Sequence, residues 1–126
     1  MKEYTIDGVK VWLIGTRELV KIVHKSRKTL NKWEKKGALP KPFIEAKVNT
    51  GLGSFNKRLY TEGQIESLLE WMNKYRLFGK RSITEPMKEE LRLRWRVEEK
   101  NFLEGVKNAK EKENKFQEEV RHLEDV

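Results

Sequence analysis

Residues 25–58 carry ten Lys or Arg and only two carboxylates. Within them Ser26, Arg27, Lys28, Thr29, Asn31, Lys32, Lys35 and Lys36 crowd into a short stretch that a single helix turns into one basic, exposed arc. Such an arc has a definite chemistry. Arg and Lys donate to guanine O6 and N7, Asn pairs with adenine N6 and N7, and hydroxyls and ammonium groups contact phosphate oxygens. A second basic group, Lys47, Lys57 and Arg58, follows within reach of the first. Other chemistries lack their residues. There is no cysteine, and the two histidines, His24 and His122, lie far apart. No Gly-x-x-x-x-Gly-Lys phosphate loop occurs, and no pair of carboxylates has a catalytic spacing. The chain is therefore expected to use no metal or cofactor and not to be an enzyme.

The charge distribution supports a polyanionic partner. The chain has 126 residues and a net charge of +8. Residues 1–83 carry +10 and residues 84–126 carry −2. A merely solubilising surface spreads its basic excess, whereas a concentrated one attracts polyanions and speeds encounter with them. Charged residues reach 38%, against about 25% in ordinary globular chains. No apolar run approaches the length of about 20 residues that a membrane span requires. Met1-Lys2-Glu3-Tyr4 opens no signal-peptide pattern. No membrane association is expected, and the location expected is cytoplasmic, on the nucleoid.

The elements that position these residues are legible in order. Tyr4–Ile6 and Val9–Ile14 read as strands around Asp7-Gly8, a two-residue turn whose residues tolerate positive φ. Thr16 is expected to cap a first helix over Arg17–Val23, and Ser26 a second over Arg27–Lys36, closed by Gly37. Leu19, Leu30, Trp33, Ile65, Leu68 and Trp71 are core candidates. Phe43–Val48 and Phe55–Tyr60 read as a hairpin with a long tip, Asn49–Ser54. Thr61 and Gln64 form a capping box for a helix ending near Gly79. Thr84 then caps a helix running to Val126. Along it Trp95, Phe102, Ala109, Phe116 and Leu123 recur every seven residues, and Val106 and Val120 share the neighbouring register with Glu99 and Glu113. That seam suits an antiparallel pair of helices, or one helix packed partly on its own domain.

The motifs Glu18-Leu19-Val20-Lys21, Ser26, Thr29-Leu30-Asn31-Lys32-Trp33-Glu34, Gly37-Ala38-Leu39-Pro40 and Arg58-Leu59-Tyr60-Thr61 resemble the MerR-like winged helix-turn-helix superfamily over residues 12–78. His24 stands where that family usually has Gly in the turn, Lys25 where a small apolar residue is usual, and Asn31 where Arg is usual. The resemblance implies a mainly α fold with a small β component. It implies a winged helix-turn-helix DNA-binding domain, which with the preceding β-hairpin is expected to occupy residues 1–79; the basic stretch 80–84 is expected to be a linker, and the seven-residue repeat makes 85–126 a long coiled-coil-like helix for oligomerisation or partner binding. With the second helix at a major groove, side-chain chemistry is expected to put Arg27, Lys28 and Asn31 against bases, Lys32, Lys35 and Lys36 nearer phosphates and Ser26 and Thr29 as hydroxyl contacts, with Lys47, Lys57 and Arg58 on the wing; the resemblance implies a phosphate contact for Arg58. The expected function is sequence-specific binding of double-stranded DNA by a homodimer or higher oligomer, as a transcriptional regulator. Excisionases and small terminase subunits of phages resemble it too, so a packaging, partition or excision adaptor is the alternative. An adaptor for protein partners with a degenerate winged helix is the third.

Overall fold

The computed structural model describes residues 1–79 and 81–124, with the side chains of Val48, Phe55 and 113–124 left out. Its elements are β1 (Lys2–Ile6), β2 (Val9–Gly15), α1 (Thr16–Val23), α2 (Arg27–Lys35), β3 (Ile44–Thr50), β4 (Gly53–Tyr60), α3 (Glu62–Lys74) and α4 (Glu85–Glu124). The two hairpins are not separate. Ile14 pairs with Tyr60 and Gly15 with Leu59, which joins them into one antiparallel sheet of order β1-β2-β4-β3. With four helices and this small antiparallel sheet, about 53% helix and 23% strand, the chain is mixed α/β.

Local chemistry accounts for most element ends. Asp7 and Gly8 both take positive φ, 50° and 80°, as a primed turn requires. His24 ends α1 in the left-handed region at φ 54°, ψ 38°. The Ser26 hydroxyl accepts from Thr29 N–H at 3.1 Å and starts α2. Gly37, at φ 77°, lets Ala38 and Leu39 N–H both return to the Trp33 carbonyl, the usual role of glycine just past a helix end. The capping box of α3 is complete, with Gln64 N–H on the Thr61 hydroxyl and Thr61 N–H on Gln64 Oε1.

Among the boundaries that differ from expectation, three have a plain physical cause. Gly15, not Thr16, is the N-cap of α1, because the extended backbone of β2 continues through Gly15 and its pairing with Leu59. Helix α3 stops at Lys74 rather than near Gly79, because Arg76 turns left-handed at φ 54°. The β3–β4 ladder closes out to Thr50↔Gly53, so the long tip shrinks to Gly51-Leu52.

The core lies between α1, α2, α3 and one face of the sheet, around Leu19, Leu30, Leu68 and Trp71. Helix α4 enters this same core. Met87, Leu91 and Trp95 are 9%, 0% and 5% exposed, and their four-residue spacing puts them on one helix face. The Trp71 indole donates to the Met87 carbonyl at 2.8 Å, and the Trp95 indole to the Lys41 carbonyl at 3.1 Å. Farther along, Ser67 donates to Glu98 at 2.9 Å and Phe102 packs on Phe43 with ring centres 5.6 Å apart. Val106 is buried as well.

Candidate nucleic-acid interface

An open groove of about 1070 Å³ lies between the start of α1, one flank of α2 and strand β4. Its walls carry six cationic side chains, Arg17, Arg27, Lys35, Lys41, Lys57 and Arg58. Thr16, Asn31 and Asn56 add hydrogen-bonding groups, and Leu30, Leu39 and Tyr60 form an apolar floor. Glu34 is the only carboxylate among the described lining residues, and it is ion-paired with Arg58. None of the other five cations is ion-paired among the described residues.

Helical geometry decides which α2 residues face the groove. At about 100° per residue, burying Leu30 and Trp33 leaves an exposed arc from Arg27 through Asn31 and Lys35 to Lys28 and Lys32. The first three line the groove; Lys28 and Lys32 are exposed on the far edge. Ser26 and Thr29 bond to each other through their hydroxyls at 3.0 Å and serve the helix start. The Lys36 side chain is exposed outside the groove, and its carbonyl accepts from Lys88 at 3.0 Å. Lys47 is exposed on β3 opposite Asn56. Of the eleven residues expected to form the interface, the groove therefore gathers Arg27, Asn31, Lys35, Lys57 and Arg58.

It also gathers Arg17 and Lys41, which pattern reading does not single out. Arg17 follows the strand-to-helix junction that Gly15 sets. Lys41 is held between Pro40 and Pro42, where the backbone is stiff. A basic residue beside such a rigid junction is the available signal. Gly15 itself leaves space for the Lys57 stem, since a Cβ there would stand 3.3 Å from Lys57 Cε.

Behind the floor, the phenol of Tyr60 is pushed up to about 12, first by burial and then by the Glu34 carboxylate, with Arg58 opposing. Burial disfavours the charged phenolate, and a neighbouring anion disfavours it further. Tyr60 is a neutral strut rather than an acid at ordinary pH. Lys25, next to the turn, sits over the Trp33 ring at 5.7 Å and bonds the Gly79 carbonyl at 3.5 Å. An ammonium above an indole face is attracted by the ring quadrupole.

The residues expected on an oligomer seam divide. Trp95, Phe102 and Val106 are engaged within the chain itself, Ala109 is partly exposed, and Phe116, Val120 and Leu123 lie outside the described side chains. Among the described residues no group of three His, Cys, Asp or Glu could hold a metal, and no helix is long and apolar enough to cross a membrane. Compared with family models, curated proteins and solved structures, the chain matches none of them.

Proposed function

We propose that this chain is a sequence-specific double-stranded DNA-binding protein of winged helix-turn-helix design. In this reading α2 is the recognition helix, His24 sits in the turn before it, and the β3–β4 hairpin is the wing. Arg27 and Asn31, on the groove edge of α2, read base edges. Arg17, Lys35, Lys41 and Lys57 hold phosphates on either side. One observation carries the reading. Five cations without ion-pair partners among the described residues converge from α1, α2, the Pro40–Pro42 segment and β4 on one concave face. The role proposed is that of a transcriptional regulator bound as an oligomer through α4.

A second reading keeps DNA recognition and makes α4 the element that gathers copies or machinery for packaging, partition or excision. It is favoured by α4 continuing past the buried Val106 to Glu124.

Selection of random duplexes by the purified protein, followed by sequencing, tests both. An enriched inverted repeat supports the symmetric regulator, and direct or tandem repeats support the second reading. With five phosphates neutralised, log K should fall against log salt with a slope of about −4.5 per protomer. A slope near zero, or no retained duplex, rejects DNA binding.

A further inference from the structure

We propose that Leu52 is a wedge that enters the minor groove beside the site occupied by α2, parts a base step and kinks the duplex. The inference rests on the DNA-binding reading and adds to it a mechanical action on DNA. Leu52 is fully exposed, at 103% of its reference area. A single exposed leucine is ordinary in itself; its mounting is what distinguishes this one. The β3–β4 ladder stays paired to Thr50↔Gly53, so Leu52 stands at the end of a supported two-stranded arm. The Thr50 hydroxyl donates to the Gly53 carbonyl at 2.9 Å and accepts from Leu52 N–H at 3.3 Å. Both bonds fold the turn back onto Thr50 and leave the Leu52 side chain pointing free of the arm.

The arm is chemically suited to DNA. No acidic residue occurs between Glu45 and Glu62, while Lys47, Lys57 and Arg58 lie along it. Asn49, Ser54 and Asn56 are exposed near the tip and offer hydrogen bonds to minor-groove edges and sugars. Its reach fits as well. Lys57, on the groove wall, and Leu52 are five positions apart, which is about 16 Å at the usual strand rise. With α2 in the major groove and Lys57 on a phosphate at its edge, an arm of this length is sufficient to carry the tip into the neighbouring minor groove, which is about 6 Å wide. Leucine side chains inserted there unstack a base step and bend DNA by roughly 20–90°.

The test uses the full chain and a duplex of about 30 base pairs carrying TA steps, which kink most easily, with a fluorophore at each end. The wild type should bind and raise energy transfer between the ends. Leu52→Ser should lose the bend and weaken binding about tenfold, the worth of one desolvated leucine. Leu52→Met should keep both, and a duplex gapped at the kinked step should restore the affinity of Leu52→Ser. Position 52 is fully exposed, so neither change endangers the fold. Binding without bending, or equal bending by Leu52→Ser, overturns the wedge and leaves DNA binding standing. No duplex retention by the wild type overturns both. Leu52-dependent capture of phosphatidylserine vesicles in place of duplex also overturns both, and makes the tip a membrane anchor.

Discussion

Arg58 on β4 is ion-paired with Glu34 on α2, so one charged contact ties the two walls of the groove together. The carboxylate side chain is only 10% exposed and the guanidinium 36%, which makes the pair partly buried. Glu34 therefore both sets the spacing of helix and hairpin and cancels one of six cations.

Replacing Glu34 with Gln separates these two effects. Losing a partly buried partner should lower urea stability by about 1–2 kcal/mol, discounted because Arg58 stays wet. The groove gains one positive charge, so binding to non-specific duplex should tighten and its salt slope steepen by about one unit. An unchanged urea midpoint together with an unchanged slope would show that the contact does neither.

Tyr60 gives a prediction at alkaline pH. Its phenol titrates near 10 in the unfolded chain and at about 12 in the folded one. Between those values the folded chain holds the extra proton, so stability falls as pH rises, by up to roughly 1.4 kcal/mol per pH unit. Below pH 10 the contribution is complete, and above 12 it is gone. Lys74, raised chiefly by its bond to Glu90, adds to the loss in the alkaline range, so the comparison is with Tyr60→Phe, which should flatten the Tyr60 part. The ultraviolet titration of the wild type minus that of Tyr60→Phe should place the Tyr60 phenolate near pH 12. A difference curve centred near pH 10 would contradict the burial argument.

What is legible in the sequence is what nearest neighbours decide. Asp7-Gly8, His24, Ser26 with Thr29, and Thr61 with Gln64 settle their turns and caps within a few residues, and the structure has each of them. The joining of the hairpins through Ile14↔Tyr60 brings together distant parts of the chain and leaves no local mark. The groove is similar. Helix α2 is recognisable as basic, but Arg17 and Lys41 join it only because the sheet carries α1 and the Pro40–Pro42 segment alongside. The heptad of α4 is visible too. Its first members turn inward, because a seven-residue apolar repeat records burial without saying against what.

Trp95→Ala tests that inward turn. Trp95 is 5% exposed and its indole N–H bonds the Lys41 carbonyl. Truncation should cost about 3–5 kcal/mol. The midpoint should shift equally at low and high protein concentration, since the lost contacts are intramolecular. A variant with an unchanged midpoint at every concentration but a smaller assembly would instead place Trp95 on a seam between copies.

Glu98 of α4 is docked beside the first turns of α3, where a carboxylate meets the positive end of the helix dipole. There it accepts from Ser67, which is 7% exposed, and fills the space beside Gly63, where a Cβ would lie 2.0 Å from Glu98 Oε2. Gly63→Ala should therefore have opposite signs in two backgrounds. In the wild type the new methyl drives Glu98 off Ser67, a bond to a charged acceptor worth about 1.5–3 kcal/mol, and net stability should fall. In a Glu98→Ala background the space is open, and Ala in place of Gly within α3 should stabilise by about 0.5–1 kcal/mol. The double-mutant cycle in urea reads the difference as a coupling energy. Equal effects in the two backgrounds would mean that Glu98 does not rest on Gly63, and that the apolar contacts of Met87, Leu91 and Trp95 hold α4 without it.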